Sequence, residues 1–315
     1  MDTSFIRGVI PPIVTPVDAR EHLDEPALAR IINHVIAGGV HGILVLGSTG
    51  EFFGLPDSTQ HERILKVSLE KIAGRVPVYF GIGAITTRQC VSLAQMAAAA
   101  GAQAITILPP MFITPNDDEL FTHFKAVAES TPLPLLIYNN PDRLNVNISA
   151  PLLERLAAVP NIVGVKDSSG DMTLTADYLR RTRHLGASNG GRDAKVKEGG
   201  FKVMAGRDSL ILATLSYGGA GCVASTANIV PKLVVSIYDN FLAGNLAAAH
   251  EAQFKLNPLR LAFSLASFPA VIKDALNLLG LNVGQAIRPN TNCTEPNLAK
   301  LKKVLEEMGA MESRA

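Results

Sequence analysis

Gly8-Val9-Ile10-Pro11-Pro12-Ile13-Val14-Thr15-Pro16 is the first long apolar run of the chain, and its second half separates two folds that share one rhythm. An open, doubly wound sheet commonly carries a glycine-rich phosphate-binding turn after its first strand. Here that place holds Pro11, Pro12 and Pro16, whose fixed φ and missing N–H groups cannot build such a turn. Gly81-Ile82-Gly83, after the third run, lacks the third glycine of GxGxxG. Working outward, short apolar runs at 8–16, 42–47, 76–83, 104–110, 134–141, 162–168, 202–206 and 221–226 alternate with amphipathic stretches, among them 25–37, 58–72, 87–100, 117–129, 150–158 and 174–182. Nearly unbroken apolar runs suit strands covered on both faces of a parallel sheet. About eight βα units without a break predict an α/β fold, a closed (β/α)8 TIM barrel.

Strand signals stop near residue 245, and helical patterns follow at 246–265, 269–279 and 295–308. The expected organisation is a barrel over 1–244 with a C-terminal helical extension, 245–315, packed on it. Pro269 is placed to start a helix, with Ser267 as its cap, and 282–297 reads as a loop. Residues 186–200, with Asn189-Gly190-Gly191, read as a flexible surface insertion on the barrel's bottom face.

Composition narrows the function. With 29 basic and 28 acidic residues the formal net charge is +1, so neither a nucleic-acid footprint nor a basic membrane-binding face is expected. A small acidic ligand held by one or two local cations fits that balance. Cys90, Cys222 and Cys293 are odd in number and far apart, as in a reducing compartment. No apolar run reaches the ~18 residues of a membrane helix, and residues 1–8 hold no signal-peptide core. The expected location is cytoplasmic.

In a barrel the chemistry collects at the C-terminal ends of the strands. Those ends present Thr15, then Gly47-Ser48-Thr49-Gly50-Glu51, Tyr138-Asn139-Asn140-Pro141-Asp142-Arg143, Lys166-Asp167-Ser168-Ser169, Gly206-Arg207-Asp208 and Ser225-Thr226. Lys166 is the most informative, because it ends an apolar strand while most other lysines fall on helices or loops. Burial disfavours an ammonium, and a neutral amine attacks a carbonyl to form an iminium, an electron sink. The competing reading is a structural ion pair with Asp167 or Glu51. Tyr138, one strand away, is placed for proton transfer or, alternatively, is a core phenol. Ser48 and Thr49 lie in a Gly-flanked turn able to bind a carboxylate or simply to cap. Arg143 is a candidate grip for a second carboxylate or a solvated loop arginine. Ser168, Gly206 and Ser225 complete the set as substrate-binding candidates. The seven histidines form no HxH or HExxH cluster, so no metal or other cofactor is expected. GxSxG and P-loop motifs are absent.

These motifs, Gly47-Ser48-Thr49-Gly50-Glu51, Tyr138-Asn139-x-Pro141 and Gly164-Val165-Lys166-Asp167 followed by Gly170-Asp171, resemble the dihydrodipicolinate synthase/N-acetylneuraminate lyase family from about residue 5 to 309. The resemblance implies Lys166 as Schiff-base lysine, Tyr138 as acid/base, Ser48 and Thr49 as carboxylate and relay positions, pyruvate as a frequent substrate or product, and a homotetramer built as a dimer of dimers. Arg143 matches the arginine with which dihydrodipicolinate synthases hold a substrate carboxylate. Two departures point away from that activity. Met111-Phe112 stands where the family has a tyrosine reaching across the dimer interface, and Leu144 where synthases usually have threonine. Ser48 is common among sialate and keto-sugar-acid lyases, yet Asp208-Ser209 lacks their acidic pair. The expectation is therefore a Schiff-base lyase (an aldolase, dehydratase or deaminase) acting on a small 2-keto acid or cyclic imino acid. Dihydrodipicolinate synthase of lysine biosynthesis is the alternative, and a non-catalytic ligand-binding barrel is the third reading.

Overall fold

A computed structural model describes residues 1–55, 58–186 and 200–311. Eight parallel strands run β1 (Gly8–Val9), β2 (Ile43–Val45), β3 (Val78–Ile82), β4 (Ala104–Ile107), β5 (Leu135–Asn139), β6 (Ile162–Asp167), β7 (Lys202–Ala205) and β8 (Gly221–Cys222). Each pairs with its sequence neighbours, and β1 returns to β8. The last seam, β1 to β2, is closed by a single parallel bridge, Pro12 to Leu44, with Ile13 N donating to Leu44 O at 3.0 Å. The chain is thus a closed (β/α)8 barrel.

Every strand lies inside its predicted run, but β1 and β8 are much shorter than 8–16 and 221–226. Prolines 11, 12 and 16 have no N–H to give a ladder. Asn228 takes over part of that work: its amide donates to Pro12 O at 2.9 Å, and its Oδ1 accepts Val14 N at 3.1 Å. It belongs to a 3-10 turn, Ser225–Asn228, that replaces the expected end of β8. Gly221 is needed at the β1–β8 seam, since with φ +150 a Cβ there would lie 2.1 Å from Gly8 O.

The helices are α1 (Glu25–Ala37), α2 (Ser58–Ile72), α3 (Thr87–Ala100), α4 (Asp117–Glu129), α5 (Pro141–Leu144), α6 (Ala150–Leu156), α7 (Met172–Thr182), α8 (Ile211–Ser216), α9 (Pro231–Leu242), α10 (Leu246–Ala262), α11 (Ala270–Leu278) and α12 (Glu295–Glu307). Local signals set the starts of several. Asp24 caps α1, while Thr86 with Gln89 and Asn116 with Glu119 form capping boxes on α3 and α4. Pro269 precedes α11, but no side chain caps that helix, so Ser267 has no such role. The loop after α11 ends at Thr294, where α12 begins. Apart from its two end residues, the insertion read at 186–200 lies outside the described residues.

The interior of the barrel is filled low down by Ile6, Ile10, Leu44, Tyr79, Ala104, Leu136, Met204, Ala220 and Val223. Tyr79 donates to Phe5 O at 3.2 Å and closes that end. A larger apolar layer lies between strands and helices and continues into α10, α11 and α12. Because the lower interior is plugged, polar side chains are accommodated at the opposite mouth, where the strands end.

Candidate active site

Strand periodicity explains why this mouth carries the dipeptides Tyr138-Asn139 and Lys166-Asp167. β5 and β6 pair with Tyr138 opposite Lys166 and Asn139 opposite Asp167. Successive side chains point to opposite faces, so the first pair turns into the barrel and the second turns out toward the helices. The outward pair is bonded to itself and to α7. Asn139 Nδ2 donates to Asp167 Oδ1 at 3.1 Å and to Tyr178 OH at 3.2 Å, and Thr175 Oγ1 donates to Asp167 Oδ2 at 2.6 Å. Ser169 N and Oγ add bonds to the same carboxylate at 3.0 Å each.

The inward pair forms the centre of the site. Lys166 is 3% exposed, and its Nζ lies 3.7 Å from the centroid of the Tyr138 ring. Neither expected ion-pair partner holds it. Asp167 is committed to Asn139, Ser169 and Thr175, and Glu51 pairs with Lys273 at 2.5 Å. Burial by itself would push the Tyr138 phenol up. The Lys166 charge and hydrogen bonds with Ser48, Ser168 and Lys166 outweigh burial, and the net shift is downward. Asn140 Nδ2 also donates to Tyr138 OH at 3.0 Å. Asn140 is a site residue that the sequence reading missed; only its position two after Tyr138, beyond the strand end, could have pointed to it.

Around this centre the other candidates divide. Ser48 and Thr49 are buried in a 3-10 turn, Ser48–Gly50. Ser48 reaches Tyr138, and Thr49 Oγ1 is 3.0 Å from Ser225 Oγ. Thr15 Oγ1 donates to Gly50 O at 2.7 Å and holds the turn from β1's side. Gly206 contributes by having no side chain: its N donates to Asp167 O at 2.7 Å, and a Cβ would stand 2.1 Å from Ser168 Oγ. Arg143 belongs to an outer ring. It lies in the last turn of α5, with its guanidinium 4.4 Å over the Phe268 ring from the extension. Burial, with the neighbouring Arg207 and Arg260 charges, holds it below the usual guanidinium range. Arg207 itself is occupied, donating to Ser168 O at 3.0 Å and pairing with Asp142. Asp208, by contrast, turns away from ligand duty. It is buried and accepts Thr226 N at 2.7 Å, tying the ends of β7 and β8 together.

Comparison with known proteins agrees with this geometry. Residues 5–308 match the Dihydrodipicolinate synthetase family. The chain belongs to that family. A 4-hydroxy-tetrahydrodipicolinate synthase from Methanoculleus marisnigri is 35% identical over 307 residues, covering 97% of this chain and 100% of the relative. Among solved structures, dihydrodipicolinate synthase from Thermotoga maritima superposes with a TM-score of 0.89 at 29% identity, covering 97% of this chain and 99% of its own. YagE, a prophage protein of the same family from E. coli solved in complex with pyruvate, gives a TM-score of 0.90 at 29% identity, covering 96% and 99%.

For a member of the dihydrodipicolinate synthetase family, the arrangement has a direct chemical sense. A buried amine, a phenol with a lowered pKa and a hydroxyl relay suit carbonyl addition and loss of water, with hydroxyls nearby for a carboxylate. Among the described residues no group of three or more His, Cys, Asp or Glu side chains is placed to hold a metal ion. A separate cavity of about 350 Å3, lined by Thr15, Val17, His22, Leu55, Arg63 and neighbours, includes neither Lys166 nor Tyr138. That cavity is therefore distinct from the cluster of Lys166 and Tyr138 at the strand ends.

Proposed function

We propose that this protein is a class I lyase in which Lys166 forms a Schiff base with the 2-keto carbon of pyruvate or a related small keto acid. The observation that carries the reading is the Lys166 amine packed on the Tyr138 ring, with both nearby carboxylates engaged elsewhere. The substrate carboxylate docks at Ser48 and Thr49. The amine then attacks the keto carbon, and Tyr138 passes the proton needed for the carbinolamine to lose water. Ser48, Ser168 and Asn140 hold the phenol in place, while Ser225 and Gly206 shape the floor beside it. The iminium stabilises an enamine, so a C–C bond breaks or a leaving group departs farther along the chain. Arg143, at the rim, orients the distal end. The covalent imine is the only carrier this chemistry calls for, with no metal.

Borohydride reduction with pyruvate, followed by peptide mass spectrometry, tests this. A reduced pyruvyl adduct on Lys166 is expected, and none in Lys166→Ala. Tyr138→Phe should slow trapping by roughly 10²–10⁴-fold, the usual general acid–base contribution. A wild-type-like rate in either variant would sink the assignment.

Dihydrodipicolinate synthase activity is the more specific reading, favoured by the names of the relatives and by Arg143. The family's tyrosine position falls near Met111-Phe112, and Phe112, 94% exposed with φ +74, has no hydroxyl to offer there. Formation of 4-hydroxy-tetrahydrodipicolinate by the pyruvate-loaded enzyme decides between this and a catabolic aldolase, dehydratase or deaminase. We further read the protein as a cytoplasmic homotetramer, a dimer of dimers, with 1–244 as the barrel and 245–315 as an extension of it rather than a second domain. Among the described residues no single helix is long and apolar enough to cross a membrane.

A further inference from the structure

We propose that the C-terminal extension sets the carboxylate-binding turn through a buried ion pair, Glu51 with Lys273, which makes these two positioning residues for the imine chemistry. The inference rests on the Schiff-base reading and assigns that site a dependence on the extension.

Glu51 closes the turn that carries Ser48 and Thr49, and Lys273 comes from α11, more than two hundred residues later. Both side chains are 0% exposed. Lys273 Nζ lies 2.5 Å from Glu51 Oε2 and donates to Gln285 O at 2.8 Å. The other carboxylate oxygen, Oε1, accepts Ile287 N at 2.8 Å. One glutamate is therefore held by a helix and by the loop that follows it. Three residues on, Gly54 packs so closely on Ile287 that a Cβ would come within 2.6 Å of its Cγ2, a second close contact between this segment and the loop after α11.

The backbone supplies the second half of the argument. Glu51 has φ 56 and ψ 35, a left-handed conformation that a residue with a side chain keeps when its surroundings over-determine it. Its N donates to Ser48 O at 3.3 Å, so rotation at Glu51 moves the hydroxyl pair directly. Burial pushes the Glu51 carboxyl up and the Lys273 ammonium down, against which their mutual attraction works. A buried pair of this kind is often no more stabilising than apolar residues of the same shape. What it supplies here is location.

The test uses the full-length protein and measures borohydride trapping against pyruvate concentration, with circular dichroism to verify folding. The double variant Glu51→Gln/Lys273→Met removes both charges and keeps an acceptor for Ile287 N–H. Its half-saturating pyruvate concentration is expected to rise about tenfold, while the limiting trapping rate changes by less than about threefold, as for a displaced binding group rather than a lost catalyst. Glu51→Gln alone carries the same comparison if the double variant does not fold. A folded variant with lowered thermal stability but wild-type half-saturation and rate overturns the proposal and leaves the Schiff-base reading intact. Absence of an adduct in the wild-type protein takes both down.

Discussion

Asp167 stands next to the proposed nucleophile in sequence yet serves a different face of the barrel. Its carboxylate accepts from Asn139, Thr175 and both donors of Ser169, and it is 4% exposed. Replacing it by Ala would leave several buried donors without an acceptor, so Asp167→Ala should lose about 3 kcal/mol of stability, read by urea unfolding. A loss below about 1 kcal/mol would show that the network is replaceable by water. Gly206 makes a sharper prediction about geometry. A methyl group there meets Ser168 Oγ and Asp167 O, one a partner of Tyr138 and the other the backbone next to Lys166. Gly206→Ala should slow pyruvate trapping roughly 10–100-fold, the scale of a small misplacement of reacting groups, while the fold measured by circular dichroism persists. That Lys166, Tyr138, Ser48 and Thr49 gather at one mouth was legible in the sequence, because each stands at or just past a strand end in a fold whose chemistry gathers there. The outward network was not, since its partners come from α7, and nothing in local spacing says that Thr175 and Tyr178 turn back to Asp167 and Asn139. The pairing of Glu51 with Lys273 was hidden for the same reason, since Lys273 comes from α11.

At the scale of elements, α1 to α4 match the sequence patterns because an amphipathic stripe bounds each one and, for α1, α3 and α4, a polar cap fixes the start. The sequence patterns name no stretch for α5, α8 or α9, although eight βα units imply helices after β7 and β8. α8 is only six residues, and Ile211, Leu212, Thr214 and Leu215 are all buried, so it lacks the polar stripe that reveals a helix. The α3–α4 contact carries a pH prediction. His123, on α4, has Nδ1 2.9 Å from Thr87 Oγ1 on α3, and its Nε2 is buried with no hydrogen-bond partner among the described residues. Burial pushes the imidazole down to about 4 from an ordinary 6.5. Between those values the unfolded chain takes up a proton that the native chain refuses. Stability from this residue is therefore complete above pH 6.5 and falls as the pH drops toward 4, by up to about 3 kcal/mol. Urea unfolding at pH 7.5, 5.5 and 4.5 should show a steeper loss in wild type than in His123→Gln. Equal slopes would place the acid sensitivity elsewhere.

At the scale of the whole molecule, exposed large apolar side chains among the described residues fall mainly into two stretches of the fold. Phe53, Ile85, Phe112 and Ile113 are exposed in the segments that follow β2, β3 and β4, which are neighbours in the sheet. Tyr217, Leu242, Leu246, Phe254 and Leu261 are exposed on or beside α8, α9 and α10. Clustered exposed apolar side chains mark contact surfaces more often than chance. A dimer of dimers with closed symmetry uses two different self-complementary surfaces, and two separate regions are what the proposed homotetramer requires. The first includes Phe112, 94% exposed on a left-handed backbone in the segment after β4, at the same end of the strands as Lys166 and Tyr138, so its loss should also disturb the mouth. In analytical ultracentrifugation the wild-type protein should sediment well above its 33.4 kDa chain mass at micromolar concentration. Phe112→Asp should shift it toward smaller species and lower pyruvate trapping together. Leu261→Asp, on the second region, should split the assembly with trapping nearly unchanged. Neither exposed side chain supports the core of a single chain, so urea unfolding of the dissociated variants should remain cooperative. A wild-type protein that sediments as a monomer at every concentration would refute the tetramer, and would assign both apolar regions to other partners.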